Sequence, residues 1–248
     1  MASPRPLREA AVVYVTLTAA TFAITRLRPV PALQEYVHLA VAALFLVVAL
    51  RMAQREDGGV ERYGMDLAGL LSPPGDTRPP GPLGLWDLAR ALRAAAPVAL
   101  RETAVALGVA LVIFPPFALA FQLWHQPTGP FVFEPTRALG ASLLAHLLVV
   151  GLPEEALFRG YFQTRLTDAW PRAHRLLGAR LSIPAWLGQA ALFGLLHFLV
   201  DLDPARLAVF FPGLLFGWLR GWRGGIGAAI VVHALSNVYI DILTRGWQ

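Results

Sequence analysis

Two adjacent glutamates, Glu154 and Glu155, lie inside one of the most apolar stretches of the chain, between Val149 and Phe158. A carboxylate at the depth of a lipid bilayer costs at least about 2.5 kcal/mol, and such groups persist where they line a cavity, pair with one another or carry out chemistry. Arg159 follows Glu155 by four residues, which places both on one face of a helix. These residues could serve acid–base chemistry or relay protons, so they are the first candidates for a functional site.

Two further pairs of residues repeat the four-residue spacing in later apolar segments. Phe193 and His197 form one pair, and His233 and Asn237 form the other. Together with the first motif they bring two carboxylates, a guanidinium, two imidazoles and an amide to the interior of one bundle, a density of costly groups that a purely structural core does not normally contain. The other polar residues of these segments are expected to make hydrogen bonds between helices: Ser142, His146, Gln189, Ser236 and Asp241.

The elements that must position these residues are membrane-spanning helices. Apolar residues make up 56% of the 248 residues and charged residues 15%, and the mean hydropathy is +0.55. A soluble domain carries roughly a quarter charged residues. Apolar runs of bilayer length predict an all-α, polytopic membrane helix bundle with about seven transmembrane helices. The predicted spans are Ala10 to Ile24, Ala32 to Leu50, Val98 to Trp124, Ala138 to Phe158, Ile183 to Val200, Ala205 to Leu219 and Ile226 to Leu243.

The pattern predicts one integrated membrane domain with two parts. Residues 1–130 would form N-terminal membrane anchor helices with an amphipathic loop, and residues 131–248 would form the core that carries the candidate site. The Pro- and Gly-rich stretch Ser72 to Pro82 predicts an irregular surface loop. The apolar spacing in Leu83 to Leu92 predicts a short amphipathic helix on the membrane surface.

Charge and cysteine content restrict the partners and the location. All 21 basic residues are arginine, which suggests GC-rich coding and a bacterial source, and cysteine is absent, which excludes disulfides and thiolate metal sites. The net charge of +5 reflects arginines clustered between apolar runs, so we expect contacts with lipid headgroups and no nucleic-acid partner. With seven spans, sixteen arginines lie on the side of the N-terminus and five on the other. We therefore expect a multi-pass protein of the bacterial inner membrane, with the N-terminus cytoplasmic and the C-terminus outside.

The three spaced groups resemble the motifs of a known family, the CPBP (Abi) family of intramembrane proteases, which includes the CAAX-processing prenyl endopeptidases. The family motifs EExxxR, FxxxH and HxxxN are matched, in that order, by Glu154-Glu155-Ala-Leu-Phe-Arg159, Phe193-Gly-Leu-Leu-His197 and His233-Ala-Leu-Ser-Asn237. The resemblance covers about Leu139 to Leu243. It implies an intramembrane endopeptidase that hydrolyses a peptide bond in a membrane-anchored protein.

The resemblance also implies a role for each motif residue. Hydrolysis needs a base that removes a proton from water; by similarity, Glu154 is that base and His197 holds the same water. His233 and Asn237 would donate hydrogen bonds to the carbonyl oxygen as it gains negative charge. Glu155 would orient a histidine or grip the substrate backbone, Arg159 would pair with a glutamate, and Phe193 would pack beside the site. The catalytic candidates are therefore Glu154, Glu155, Arg159, His197, His233 and Asn237.

The resemblance implies a site that needs no metal or other cofactor. A zinc ion is the alternative, because two histidines and a carboxylate can bind one, and Glu154, His197 and His233 could supply them. The chain contains no His-Glu-x-x-His helix motif.

The substrate is expected to be a membrane-anchored protein or peptide, or the C-terminal sorting tail of an exported protein. The stretch Phe198 to Arg220 is similar to the myxosortase branch of the family, which processes such tails. Two other functions stay open. Intramembrane Glu, Arg and His residues also occur in proton- or anion-coupled transporters, and a non-enzymatic scaffold could bind partner helices through small residues.

The predicted span boundaries contain one conflict. They place Glu154 near the cytoplasmic end of the fourth span and His197 near the outer end of the fifth, so the two could not meet. A helix that kinks at Gly151 and Pro153 and continues to about Thr167 would remove the conflict. The sequence therefore predicts that Tyr161 to Leu166 is helical and largely buried.

Overall fold

The computed structural model describes residues 4–71, 85–133 and 138–247. The elements are mainly helices, which confirms the prediction of an all-α membrane bundle. The predicted loop Ser72 to Pro82 lies outside the described residues. The helices are α1 (Pro4–Thr25), α2 (Val37–Gln54), α3 (Gly59–Arg62), α4 (Leu85–His125), α5 (Leu139–Ala145), α6 (Leu152–Glu155), α7 (Gln163–Ala169), α8 (Ile183–Asp201), α9 (Phe210–Arg223) and α10 (Gly227–Gly246).

Helices α5, α6 and α7 are parts of one uninterrupted helix. Two π-helical turns, His146–Gly151 and Ala156–Phe162, join them. The result is the 31-residue helix Leu139–Ala169, which carries both glutamates near its middle. We call it the glutamate helix.

Six helices in the described ranges are long and apolar enough to cross a membrane: α1, α2, α4, the glutamate helix, α8 and α10. This is one fewer than the seven predicted. The predicted span Ala205 to Leu219 is instead a 3-10 segment, Pro204–Val209, followed by the 14-residue helix α9. Pro212 explains the late start of α9. Proline has no N–H and would interrupt a helix that began earlier, but it is tolerated in the first turn of a helix.

Contacts at the helix ends define two faces of the bundle. The N face is the end where α1 begins; there Arg165 of α7 pairs with Glu9 of α1 and with Glu56 beyond the end of α2. The C face is the end where α10 ends. On that face Asp201, the last residue of α8, pairs with Arg28 and Arg206.

The segment Pro204–Arg223 returns the chain from the C face to the N face. Gly194 of α8 packs against Phe210 at the start of α9, and Gly221 near the end of α9 packs against Leu181, before α8 begins. Over the described residues the chain therefore makes seven passes through the bundle, the sixth of them with an α-helix too short to span a bilayer alone. The first and last described residues lie on opposite faces.

One element was not predicted, and one predicted helix is part of a longer one. Strands β1 (His174–Leu176) and β2 (Ala179–Leu181) form a small antiparallel hairpin at the N face. Leu177 and Gly178 connect them with φ of 48° and 82°, the backbone of a tight two-residue hairpin turn. The amphipathic stretch predicted at Leu83 to Leu92 is helical from Leu85 onward, but it is continuous with the rest of the 41-residue α4.

The main hydrophobic core contains side chains from both predicted parts of the chain. Tyr14 of α1 and Phe45 of α2 are buried with Phe158, Phe162 and Phe193. Aromatic pairs hold the helices in register, for example Phe45 with Phe158 and Tyr14 with Phe162. The N-terminal helices thus pack directly against the helices that carry the candidate site.

Candidate active site

The glutamate helix removes the conflict found in the sequence. It continues to Ala169, and Tyr161 to Leu166 is helical and buried apart from partly exposed Thr164, which confirms that prediction. Glu154 and Glu155 therefore lie deep in the bundle, where α8 and α10 can reach them.

The π-helical turn beginning at His146 changes which side chains share a face. An α-helix advances by about 100° per residue, so His146 and Glu155, nine residues apart, would lie on opposite sides. A turn closed by i to i+5 hydrogen bonds contains about one residue more, which reduces their separation to roughly 80°. Both side chains then contact α10. Gly151 allows the glutamate helix to approach α10 closely, because a Cβ there would lie 3.1 Å from the carbonyl oxygen of Ile230.

Glu155 is the centre of a buried cluster. Its Oε1 accepts a hydrogen bond from Nη1 of Arg159 at 2.9 Å and lies 2.8 Å from Nδ1 of His233. Glu155 and Arg159 have side chains with 0% exposure. Oε1 already accepts a hydrogen bond from the guanidinium, so Nδ1 of His233 donates to the same oxygen.

Arg159 is held by aromatic rings on its other sides. Its guanidinium carbon lies 4.3 Å from the ring centre of Phe193, 5.0 Å from that of Phe216 and 5.9 Å from that of Phe158. Aromatic faces attract a guanidinium when water is excluded. Phe216 also stacks on the imidazole of His233 at 4.8 Å, so one ring contacts both partners of Glu155.

Glu154 differs from its neighbour in having no such partners. Its Oε2 lies 3.8 Å from Nε2 of His233, too far for a hydrogen bond, and this buried oxygen has no hydrogen-bond partner among the described residues. The side chain is 17% exposed and lines a cavity. Of the two glutamates, Glu154 is thus the one that is able to meet a ligand.

His197 lines the same cavity from α8. Its Nδ1 lies 2.9 Å from the carbonyl oxygen of Phe193. A carbonyl oxygen can only accept, so Nδ1 carries the proton and Nε2 of the neutral ring is left as an acceptor. The ring packs edge-to-face on Phe193 at 4.6 Å, which limits its orientation.

Asn237 lines the cavity one turn after His233. Its Nδ2 lies 3.4 Å from Nδ1 of His146, and Nε2 of His146 lies 3.5 Å from Oδ2 of Asp241. His146 and Asp241 were expected only to join helices, and here they adjoin a candidate catalytic amide.

The cavity has a volume of about 880 Å³. At its deep end Glu154, His197, His233 and Asn237 line it, whereas Glu155 and Arg159 do not. It extends to the C face, where its wall includes Arg28, Asp201 and Arg206, and sideways between α4 and α10. The cavity therefore connects the candidate site with the C face, at the end of the bundle opposite the start of α1.

A metal site needs three or more ligands that converge. Within the described part of the chain, no group of three or more His, Asp and Glu side chains is placed to hold a metal ion. Glu154, His197 and His233 line one cavity without forming such a group. The metal-free site stays a prediction.

Of the remaining polar residues, Gln189 makes the expected hydrogen bond between helices, to Gly213 of α9, whereas Ser236 bonds within α10. Gln189 donates to the backbone carbonyls of Trp186 and Gly213, and Ser236 donates to the carbonyl of Val232. Phe216 was missed altogether, because its contact with His233 depends on the approach of α9 and follows no sequence spacing. Asp241 carried a weak signal, since it continues the four-residue spacing of His233 and Asn237.

Comparison with known proteins gave one match. A family model described as "Type II CAAX prenyl endopeptidase Rce1-like" matches residues 135–239. The matched range contains all six predicted site residues and ends before Asp241. Comparisons with curated proteins and with solved structures gave no match.

Proposed function

Because residues 135–239 belong to the Rce1-like family of type II CAAX prenyl endopeptidases, part of the CPBP family, we propose that this multi-pass membrane protein hydrolyses a peptide bond of a membrane-anchored substrate inside the bundle. The observation that carries the proposal is the contrast between the two glutamates. Glu155 is fully buried, with Oε1 bonded to Arg159 and His233, while Glu154 beside it is 17% exposed and lines the cavity.

Water activation is the role of Glu154 and His197. A water molecule enters the cavity from the C face. It donates one hydrogen bond to the carboxylate of Glu154, which lines the cavity, and a second to Nε2 of His197. Glu154 takes the proton as the oxygen attacks the substrate carbonyl, and it returns a proton to the amine that leaves. The position of Glu154 is fixed by the glutamate helix, and the orientation of the His197 ring is fixed by its hydrogen bond to the Phe193 carbonyl.

His233 and Asn237 stabilise the oxyanion that forms. Nδ1 of His233 is bonded to Glu155, so in the doubly protonated ring Nε2 is the nitrogen that donates toward the cavity. Preorganised donors of this kind contribute about a hundredfold or more in rate. Asn237, one turn along α10, supplies the second donor.

Glu155 and Arg159 act through His233 and do not touch the substrate. Their side chains have 0% exposure and do not line the cavity. Of the two roles suggested for Glu155, orienting a histidine is therefore the one we propose, and gripping the substrate backbone is not. Arg159 fixes the rotamer of Glu155 and balances its charge.

The side of the membrane from which a substrate reaches the cavity follows from the orientation of the two faces. We place the N face in the cytoplasm, in a bacterial inner membrane, because the arginine excess lies on that side. The cavity then opens toward the outside, where a membrane-anchored protein or the C-terminal sorting tail of an exported protein would reach it. The family match does not distinguish the myxosortase branch, which stays a prediction.

The test compares wild type with Glu154→Gln in native membranes, by mass spectrometry of the C-terminal tails of membrane-anchored proteins. We expect uncut tails to accumulate in Glu154→Gln and not in the matched control Glu61→Gln, whose side chain is exposed at the N face. An unchanged set of tails, together with an unchanged cellular phenotype in Glu154→Gln, would contradict the proposal and favour a scaffold.

The same material tests the metal-free chemistry. Purified enzyme should keep its activity toward a tail identified in this way after treatment with a strong chelator. Loss of activity that zinc restores would instead show that Glu154, His197 and His233 bind a metal.

A further inference from the structure

One imidazole stands between a candidate catalytic amide and a carboxylate. His146 lies 3.4 Å from Nδ2 of Asn237 through Nδ1 and 3.5 Å from Oδ2 of Asp241 through Nε2. Asn237 and Asp241 are four residues apart on α10, so they share a face. The three side chains form a chain of contacts that runs from the cavity wall toward the C face.

With the amide nitrogen of Asn237 facing His146, the contacts of this chain define its donors and acceptors. The amide nitrogen of Asn237 has hydrogens and no lone pair to offer, so Nδ1 of His146 must accept. The single proton of the neutral ring then sits on Nε2 and points toward the carboxylate of Asp241. Asn237 thus donates to His146, and the proton on Nε2 of His146 faces Oδ2 of Asp241 at 3.5 Å.

The arrangement parallels the one around the other proposed oxyanion donor. The glutamate helix supplies Glu155 to hold Nδ1 of His233, and the same helix supplies His146 to hold one N–H of Asn237. The π-helical turn His146–Gly151 brings these two positions to the same side, and π-helical turns occur frequently at functional sites.

We propose that His146 is a positioning residue for Asn237, and that Asp241 fixes the tautomer of His146 that makes this possible. One N–H of the amide is engaged by His146, and the other is thereby aimed into the cavity, where the oxyanion develops. This inference rests on the proposed peptidase function for its kinetic consequence, but not for the tautomer it assigns.

The kinetic test is a double-mutant cycle on a cleaved tail peptide. We expect Asn237→Ala to lower kcat about a hundredfold and His146→Ala to lower it roughly 10- to 100-fold through misplacement of the amide, with KM nearly unchanged in both. Combining them should cost no more than Asn237→Ala alone. His146→Gln, whose amide oxygen can accept from Asn237, should recover part of the activity.

Ser142→Ala is the matched control for these variants. Ser142 lies one turn before His146 on the glutamate helix and is not part of the cavity wall, so its removal should leave kcat unchanged. Effects of His146→Ala and Asn237→Ala that multiply in the double variant would overturn the inference, as would a His146→Ala enzyme with wild-type kcat.

The second test does not require activity. Nitrogen-15 NMR of histidine-labelled protein in detergent should show His146 with its proton on Nε2, and Asp241→Asn should shift this equilibrium while Asp203→Asn, at the C face outside the cavity wall, should not. A proton on Nδ1 of His146 would overturn the inference even if the protein proves to be a peptidase. A correct tautomer in a protein without peptidase activity would instead refute the proposed function.

Discussion

Nδ1 of His233 donates a hydrogen bond to Oε1 of Glu155 over 2.8 Å, and the same carboxylate oxygen also accepts one from Arg159. The bond fixes the imidazole so that Nε2 faces Glu154 and the cavity. Two adjacent glutamates therefore have different roles: Glu155 positions a histidine from behind, and Glu154 lies next to the free side of that histidine.

This difference predicts that replacing glutamate by glutamine lowers mainly the stability at position 155 and mainly the catalytic rate at position 154. Glu155→Gln leaves Arg159 buried without an ionised partner, which should lower the free energy of unfolding by about 3–5 kcal/mol. Glu154→Gln removes no hydrogen bond and should change that free energy by less than about 1 kcal/mol, while lowering kcat at least about a hundredfold. Thermal unfolding in detergent, measured beside peptide cleavage, separates the two. Equal stability losses would show that both carboxylates are structural.

The stacking of Phe216 on His233 predicts a catalytic effect from a residue outside the three motifs. Phe216→Leu keeps the position apolar, with a somewhat smaller side chain, but removes a ring contact worth about 0.5–1.5 kcal/mol, so His233 and Arg159 should be held less firmly. We expect kcat to fall up to about tenfold with KM unchanged. Phe133→Leu, at a side chain 56% exposed, is the control and should have no effect. A Phe216→Leu enzyme with wild-type kcat would show that Glu155 alone orients the imidazole.

The motif residues could be predicted because their geometry is local. Glu155 with Arg159, and His233 with Asn237, are four apart in the sequence, and the apolar residues around each pair indicate a membrane-spanning helix. The long α-helical passes were predictable for the same reason. Which residues share a face within one motif follows from the period of the α-helix.

Other parts depended on features without a sequence period. His146 faces Asn237 because a π-helical turn shifts the register of the glutamate helix by about one residue, which a 3.6-residue pattern does not reveal. Phe216 reaches His233 because α9 is short and packs closely through Gly213 and Gly217. The sixth pass was expected to be one long helix. Because it begins with a 3-10 segment, the α-helical period of the sequence does not predict this contact.

Close packing of α9 predicts a strong effect at Gly217. A Cβ at this position would contact Nε2 of Gln189 and lie 2.9 Å from Cδ1 of Trp186, so Gly217→Ala should lower the free energy of unfolding by roughly 1–3 kcal/mol. Gly108→Ala in α4 meets no atom within 4 Å and should raise it by up to about 1 kcal/mol, because alanine favours a helix. Thermal unfolding of both variants shows whether each substitution raises or lowers the free energy of unfolding. A neutral Gly217→Ala would contradict the close approach of α9.

The two faces of the bundle predict which residues an impermeant reagent can reach. The chain has no cysteine, so single cysteines can be introduced without a background. Glu35 is exposed next to the start of α2 at the C face, and Glu61 is exposed in α3 at the N face. If the N face is cytoplasmic, Glu35→Cys should react with a charged maleimide in intact cells, and Glu61→Cys should react only after the membrane is permeabilised. The reverse pattern would place the cavity mouth in the cytoplasm and make cytoplasmic tails the substrates. Because the cavity opens at the C face, this labelling decides from which side a substrate reaches Glu154.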